Sequence, residues 1–256
     1  MILIKKNELF LLEEIVKKNF AAKYKGSVLG ILWSVIKPLV IMILMTIIFS
    51  TVFSRSIENY PIYLLSGKCI YDFFSAGTNL SAISLKGNQN ILKKTDAPKH
   101  IFVLGSILSE FVNFLISLMI LVSVMIVTNS TFHLGTMFLS IITIISLLLM
   151  MIGLGLILSI SSVYYTDVEH LWSLVMYLQM YACAIFYPMD IIPEPYHQYM
   201  ILNPFYWIID QFRSFVVYGV IPNYTYILNS ILLSSIVLVF GIIIFKKYEK
   251  VVTMKF

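Results

Sequence analysis

Charged residues are scarce in this 256-residue chain. Asp, Glu, Lys and Arg together make up 12% of it, whereas hydrophobic residues make up 59%, and the mean hydropathy is +0.90. A soluble domain of this size could not bury so much apolar surface in one core. The composition therefore excludes a soluble enzyme or binding module and predicts a protein dissolved in lipid.

Metal-binding and nucleotide-binding patterns are missing. The two cysteines, Cys69 and Cys183, lie in separate hydrophobic runs, and the four histidines are scattered between such runs, so neither residue type has a metal or redox spacing. No stretch reads GxxxxGK followed by Ser or Thr, the phosphate-binding loop. Binding of nucleic acid would require a soluble basic face, and the sequence shows none. We expect this chain to hold no metal, no cofactor and no catalytic residue.

Long apolar runs dominate what is there. A helix needs about 20 mostly apolar residues to cross roughly 30 Å of hydrocarbon. Six runs of about this length occur, at residues 28–53, 60–85, 101–127, 134–164, 171–187 and 224–245. They predict an all-α membrane protein in which residues 1–256 form a single transmembrane domain with six transmembrane helices.

The lysines predict how these helices are oriented. Cytoplasmic flanks of membrane helices hold an excess of Lys and Arg. The short connections 54–59 and 128–133 contribute only Arg55. Fourteen lysines fall in the segments that would share the other side, namely Lys5, Lys6, Lys17, Lys18, Lys23, Lys25, Lys86, Lys93, Lys94, Lys99, Lys246, Lys247, Lys250 and Lys255. Both termini and the 86–99 loop are therefore predicted to be cytoplasmic.

Residues 7–22 have the periodicity of an amphipathic helix. Apolar side chains recur at helical spacing on one face and charged ones occupy the other. The apolar set is Leu9, Leu12, Ile15, Val16 and Phe20, and the charged set is Glu13, Glu14, Lys17 and Lys18. We expect this helix to lie in the cytoplasmic interface of the membrane.

The segment from Pro188 to Pro222 is too polar to face lipid and too apolar for an ordinary outer loop. Asn203 followed by Pro204 is a typical helix start. The 14-residue run that follows is too short to cross a membrane. We therefore predict two short re-entrant helices on the outer side, at 192–202 and 205–218, in the second of which Asp210 and Arg213 could pair. Re-entrant backbone requires cover by protein or a water-filled conduit.

Ionisable residues inside the predicted spans are few. They are Lys68 and Asp72 in the second span and Glu110 in the third. Such residues are functional candidates by default, but structural pairing is as compatible with their positions. Lys37, just before Pro38 in the first span, must extend toward the inner head groups or face protein.

The order of several sequence pieces resembles a known family. The pieces are YKGSVLGILWSVIKPL from Tyr24, YPIYLLSGKCIYDFF, NILKKTDAPKHIF, VYYTDVEHLW, FYPMDIIPE and NPFYWIIDQFR. Together they resemble the permease subunits of ABC type-2 exporters that move bacterial polysaccharides and wall polymers, over nearly the whole chain. One departure is Thr166, where the family commonly has arginine.

The resemblance implies a mechanism and a set of partners. It implies a homodimer in the bacterial plasma membrane, joined by two copies of a separate P-loop ATPase that binds ATP and Mg, and a lipid-linked glycan as substrate. Residues 87–95 would be the coupling helix seated in the ATPase, and residues 192–218 would form the outer gate. From their charge, Lys23 and Lys25 are assigned to the pyrophosphate head group of the substrate where it enters.

The residues expected to act fall into two further groups. The resemblance implies that ATPase coupling involves Asn88, Gln89, Asn90, Ile91, Leu92, Lys93, Lys94, Thr166, Asp167, Glu169 and His170. The outer gate is assigned to Ile191, Ile192, Pro193, Asn203, Pro204, Phe205, Asp210 and Arg213.

Other functions stay open at this point. An ABC type-2 permease for a small drug or lipid shares the topology but usually has a larger outer domain. A membrane enzyme acting on lipid-linked substrates would need a cluster of reactive groups, and Asp167, Glu169 and His170 are the one dense group. A channel or ion-coupled carrier is disfavoured by the few intramembrane charges and the lack of evident inverted repeats. The identity of the polymer stays open among O-antigen, teichoic acid, capsule and rhamnose-rich wall glycan.

Overall fold

The computed structural model describes residues 6–53, 57–252 and 255. Lys5 and Arg55, which contributed to the orientation argument, lie outside these residues. Within them the chain forms ten α-helices and no β-strand, so the prediction of an all-α protein is confirmed. The helices are α1 (Lys6–Tyr24), α2 (Trp33–Phe53), α3 (Tyr60–Ile83), α4 (Gln89–Leu92), α5 (His100–Val127), α6 (Leu134–Tyr164), α7 (Asp167–Tyr181), α8 (Glu194–Ile201), α9 (Pro204–Arg213) and α10 (Tyr224–Val252).

Four helical segments in the described part of the chain are long and apolar enough to cross a membrane. They are Gly30–Phe53, His100–Val127, Leu134–Tyr164 and Tyr224–Val252. The other two predicted runs form α3 and α7, which have 24 and 15 residues. At 1.5 Å per residue these helices are about 36 Å and 22 Å long.

Helix α3 lies at the centre of the bundle and packs against α2, α5, α6, α7 and α9. Its large buried side chains include Ile62, Leu64, Leu65, Ile70, Phe73 and Phe74. A helix surrounded by protein needs no apolar face toward lipid. This explains why α3 can contain Lys68, Asp72 and several small polar residues and is less apolar than the four segments above.

Two glycines bring α6 and α10 into close contact. A Cβ atom at Gly153 would lie 2.5 Å from the carbonyl oxygen of Val237, and a Cβ at Gly241 would collide with the backbone of Gly153. Small residues allow such close approach of helix backbones in membrane proteins. The crossing places the end of α10 beside the segment that leads into α5, where a cavity is lined by both.

The lysine-rich segments gather at one end of the bundle, here called the lysine-rich end. Helix α1 packs along α5, with Ile15 covering Gly105. Lys18 Nζ donates a hydrogen bond of 2.6 Å to Asn88 Oδ1. At the other end, here called the opposite end, Asn59 donates to Ser130 and α9 packs against α3, α6 and α10.

Two segments contain shorter helices than their sequence pattern predicts. The segment 87–95 is not one helix, since a 3₁₀ turn at Lys86–Asn88 precedes the four residues of α4. Asn88 Nδ2 donates a hydrogen bond of 2.7 Å to the carbonyl of Ser84 and so caps the end of α3. Helix α7 ends at Tyr181 although the apolar run continues to 187, and Ala184 has a positive φ of 49°.

Of the two helices expected at 192–202 and 205–218, the first is shorter than its run, and the second reaches the end of its run only through a change of helix type. They are observed as α8 and α9, and α9 continues as a π-helical turn at Ser214–Tyr218. That turn ends at Gly219, whose φ is +66°. A Cβ there would collide with the ring of His133, so glycine is required both by conformation and by space.

Candidate functional site

A cavity of about 420 Å³ lies between α1, α2, α3 and α5 near the lysine-rich end. The last turn of α1, the first turns of α2 and the middle of α3 and α5 supply its wall. The charged side chains of the wall are Lys23, Lys37, Lys68, Asp72 and Glu110. Three cations face two carboxylates, so the cavity carries a net positive charge.

Lys23 and Glu110 form an ion pair that joins α1 to α5. Lys23 Nζ lies 2.8 Å from Glu110 Oε2 and 3.1 Å from Oε1. Asn113 Nδ2 donates 2.9 Å to the same carboxylate, and the Tyr24 hydroxyl donates 2.7 Å to Asn113 Oδ1. The Glu110 side chain is 9% exposed and that of Lys23 is 42% exposed, so the lysine remains accessible from the cavity.

The other lysines near the cavity differ in their partners. Lys68 and Asp72, one turn apart on α3, form an ion pair. Lys37 has no ion pair among the described residues. Lys25 is exposed in the connection after α1 and does not line this cavity. Of the two lysines assigned to the head group, the structure places Lys23 in the wall and Lys25 outside it.

A second cavity continues the first toward α7. Its volume is about 650 Å³ and it shares Lys23, Ala76 and Glu110 with the first. Its far wall contains Glu169 and His170 at the start of α7. The two cavities together are called the charged groove below. The groove connects the positively charged cavity with the first turns of α7.

The residues assigned to ATPase coupling lie at the lysine-rich end, but they are not equally accessible. Asn88 and Leu92 are buried, whereas the other side chains of 89–94 are exposed. Lys86 Nζ lies 2.7 Å from Glu169 Oε1, which joins this segment to α7. Thr166, Asp167 and His170 are exposed beside it.

At the opposite end, Arg213 is 4% exposed. Its Nη1 donates 2.8 Å to the carbonyl of Ala184, and its Nη2 donates 3.0 Å to Ile185 and 3.2 Å to Tyr63. The guanidinium carbon lies 3.6 Å from the centroid of the Tyr63 ring. The ion pairs of the described residues do not include Asp210 with Arg213, so the pairing expected from their spacing is not formed. Arg213 instead reaches across to α3 and to residues 182–187.

Residues 182–187 form an irregular turn between α7 and the outer helices, called the 182–187 turn below. Its carbonyl groups are bound by side chains from other elements rather than by a helix. The Tyr63 hydroxyl lies 3.0 Å from the Ala184 oxygen and 2.8 Å from the Tyr187 oxygen, and the Tyr60 hydroxyl donates 2.9 Å to Phe186. Asn203 Nδ2 donates 3.1 Å to Ala182. The turn is therefore held by α3 and by the start of α9.

The residues assigned to the outer gate divide by burial. Ile191 and Pro193 are exposed and Ile192 is half-buried. Phe205 is buried, with its ring centroid 4.5 Å from that of Phe74. Asn203 caps α9 by accepting 3.1 Å from the backbone N–H of Phe205, and Pro204 occupies the first helical position. The structure thus anchors the α9 side of the segment and leaves the α8 side on the surface.

A family match covers most of the chain, from residue 11 to residue 217, and the family it describes is the ABC-2 type transporters. The chain belongs to the ABC-2 type transporter family. The match includes both the charged groove and Arg213. It confirms the family that the sequence pieces indicated, and with the long apolar helices it makes the chain an integral membrane protein.

Named relatives of this ABC-2 chain are transport proteins. It is 30% identical over 239 residues to the O-antigen export system permease protein RfbA of Klebsiella pneumoniae, covering 93% of this chain and 92% of the relative. It is 25% identical over 186 residues to RfbA of Myxococcus xanthus, covering 72% and 70%. It is 20% identical over 224 residues to the polysialic acid transport protein KpsM of Escherichia coli, covering 87% of each.

Several residues of these two sites escaped the sequence analysis. Tyr63 and Gly67 hold and accommodate Arg213, although 150 positions separate Tyr63 from it. Asn113 bridges Tyr24 and Glu110. Their types are unremarkable within apolar helices, so no local signal could have selected them.

Proposed function

We propose that this chain is the membrane-spanning permease subunit of an ATP-driven exporter that moves a lipid-linked polysaccharide or wall polymer to the outer side of the bacterial plasma membrane. The observation that carries the proposal is the 30% identity, over 93% of this chain, to a permease protein of an O-antigen export system. The charged groove supports it, since a basic cavity beside an interfacial helix suits an anionic lipid head group.

The proposed topology has six spans, with α3 and α7 added to the four long apolar segments. Helices α8 and α9 are re-entrant from the outer side, and both termini face the cytoplasm. Burial supports the role of α3, because a central helix need not be apolar on every face. The short α7 is completed by the 182–187 turn, whose polar backbone groups are bound by protein, as irregular backbone at membrane depth requires.

The proposed assembly contains two copies of this chain and two copies of a separate P-loop ATPase, which binds ATP and Mg. A broad apolar face of α2, including Ile43, Ile47 and Val52, is exposed and would be covered by lipid or by the second copy. The exposed residues of 89–94 would meet the ATPase. Because Lys86 binds Glu169, a push on this segment would also move the start of α7.

The lipid-linked substrate would enter through the charged groove. Its diphosphate would be bound by Lys23 and Lys37, with Lys25 near the opening. Lys23 is oriented by its ion pair with Glu110, and an incoming phosphate would share that lysine. The glycan would then pass between the subunits toward the outer helices.

The first experiment is purification of the tagged chain from its native host in mild detergent, with identification of co-eluting proteins and assay of ATPase activity. We expect a stoichiometric P-loop ATPase. Ile91→Asp should abolish its recovery, because Ile91 is 37% exposed on the proposed contact. The matched control is Val251→Asp, which changes a side chain of 41% exposure at the same end. Purification of the chain alone, under conditions that preserve other membrane complexes, would contradict the proposal.

The second experiment tests the substrate class. Depletion of the chain should lower surface glycan and raise the amount of lipid-linked glycan inside the cell, and plasmid-borne wild-type chain should reverse both. Unchanged surface glycan in depleted cells would exclude polymer export and favour a small-molecule permease.

A further inference from the structure

We infer that Arg213 is a positioning residue that clamps the 182–187 turn to α3 and α9, and that it makes no contact with the transported polymer. The inference rests on the proposed export function for its effect on transport. The clamp itself is a statement about this chain alone. Arg213 thus has a structural role, whereas Lys23 and Lys37 of the charged groove are proposed to bind the substrate.

The surroundings of the guanidinium exclude a role in substrate contact. Arg213 is 4% exposed, and three backbone carbonyls and the face of the Tyr63 ring surround it. Guanidinium groups have five N–H donors in a fixed plane, and here both terminal nitrogens are occupied by protein. The Nε of Arg213 is also buried, and it has no hydrogen-bond partner among residues 6–53, 57–252 and 255, so no edge of the planar group faces an open passage in this part of the chain.

The turn needs such a clamp because side chains, and not helical backbone N–H groups, bind its carbonyl groups. The positive φ of Ala184 ends the helical pattern, and an alanine gains nothing from that conformation. The carbonyls of Ala184 and Ile185 accept from Arg213. Irregular backbone at membrane depth is stable only where protein binds its polar groups. Arg213 therefore acts with the hydroxyls of Tyr60 and Tyr63 and the amide of Asn203 to hold the turn, and it supplies the donor to Ile185.

Gly67 gives independent support for the clamp. A Cβ atom at this position would lie 2.5 Å from Arg213 Nη2 and 3.2 Å from Cζ. The end of a free arginine could move aside, but this one is bound to three carbonyls. Glycine at position 67 thus leaves the space that the clamped guanidinium fills, and Gly67→Ala is a way to disturb the clamp without removing the charge.

The clamp has a consequence for the outer gate. The 182–187 turn connects α7, whose first turn contacts Lys86 through Glu169, to the segment that contains α8. Helix α9 is buried against α3, whereas α8 has no buried residue. Because the turn is bound to α3 and α9, we expect a displacement of α7 at the lysine-rich end to be passed on to the segment that contains α8. A loosened clamp would let α7 shift without moving the gate.

The clamp can be tested without any transport assay, through Cys183. This residue is one of only two cysteines, is fully buried in the turn, and becomes the single thiol in a Cys69→Ala background. In the purified permease–ATPase complex we expect slow labelling by a small maleimide. Gly67→Ala and Arg213→Met should raise the labelling rate by about tenfold or more, as expected when a local opening becomes easier. Gly135→Ala, where a Cβ meets nothing within 4 Å, is the control. Continued protection of Cys183 in both variants would overturn the clamp.

The effect on export is measured in the same variants as glycan exported per ATP hydrolysed. We expect Gly67→Ala to lower this ratio by about threefold to thirtyfold, the range for residues that couple distant sites, while ATP hydrolysis continues. Arg213→Lys should retain part of the ratio, and its effect should not add to that of Gly67→Ala if both act through the clamp.

Two outcomes would overturn the positioning role in export. One is an unchanged ratio in variants whose Cys183 has become reactive. The other is a normal ratio in Gly67→Ala together with a loss in Arg213→Lys that depends on the length of the glycan, which would indicate direct contact with the polymer. If the wild-type chain exports no glycan, the proposed function fails, and the labelling rates still decide the clamp.

Discussion

Each end of the bundle contains a cation with well-defined partners, and the two cations differ in the charge of those partners and in exposure. Lys23 at the charged groove is 42% exposed and bound to a carboxylate. Arg213 at the opposite end is 4% exposed and bound to neutral carbonyls and a ring. A half-exposed cation can exchange its partner for another anion, because water screens the change. A fully buried one cannot, so the first arrangement suits binding and the second suits architecture.

The largest expected effect comes from removing the buried cation. Arg213→Met should lower the free energy of unfolding by about 2–4 kcal/mol. It leaves the buried Ile185 carbonyl without its donor, leaves Ala184 with the Tyr63 hydroxyl alone, and removes the cation–π contact with the Tyr63 ring. Thermal unfolding in detergent measures the loss. The matched control is Lys37→Met, which removes a cation without an ion-pair partner in the described chain. Equal losses in the two variants would break the contrast between the ends.

A smaller effect is expected at the ion pair of the groove. Lys23→Met leaves the Glu110 carboxylate with Asn113 as its one remaining partner among those described above. It should lower the free energy of unfolding by about 1–2 kcal/mol. The loss is smaller than for a fully buried ion pair because the groove admits water. Glu110→Gln should cost less, since Lys23 can hydrate. The double variant should be close to Glu110→Gln alone. A loss for Glu110→Gln that exceeds the loss for Lys23→Met would contradict this account.

The pair between Lys86 and Glu169 should matter more for coupling than for stability. Lys86→Glu or Glu169→Lys should lower the free energy of unfolding by only about 0.5 kcal/mol, as for part-exposed pairs. Each single reversal should reduce export per ATP hydrolysed, and the double reversal should restore it. Failure of the double variant to recover, with the ATPase still bound, would show that the pair does not transmit movement between segment 86–94 and α7.

The remaining changes concern the affinity for the substrate head group and leave the fold unchanged. A short prenyl diphosphate should bind the purified complex, and Lys37→Gln should raise its Kd by about tenfold, the equivalent of one hydrogen bond to a charged group. Lys25→Gln should raise it less than about twofold, because Lys25 lies outside the groove wall. Isothermal titration at two salt concentrations measures both. Identical Kd values for wild type and Lys37→Gln would exclude Lys37 from the head-group site.

Local patterns predicted the helices well where one face or the whole surface is apolar. Residues 7–22 were expected to form an amphipathic helix, and α1 covers Lys6–Tyr24. The start of α9 at Pro204 follows directly from the Asn–Pro pair and its cap. These features depend on residues within one or two helical turns, so the sequence contains the whole cause.

The end of α7 shows why other features could not be predicted. Residues 182–187 read ACAIFY, with neither glycine nor proline to stop a helix. The turn exists because donors from Tyr60, Tyr63, Asn203 and Arg213 bind its carbonyls. Similarly, Asp210 and Arg213 are three residues apart on a helix, a spacing that allows an ion pair. The guanidinium instead donates to the carbonyls of the turn.

By itself the sequence determined that this is an all-helical membrane protein, where its long apolar segments lie and which transporter family it belongs to, because hydropathy, helical period and motif order are all properties of the chain read in line. Only the tertiary structure decided which charges are exchangeable and which are clamped. Lys23 and Glu110 lie 87 positions apart, and Arg213 and Tyr63 lie 150 apart. Such pairings are set by how the helices pack, and burial then determines whether water can replace the partner.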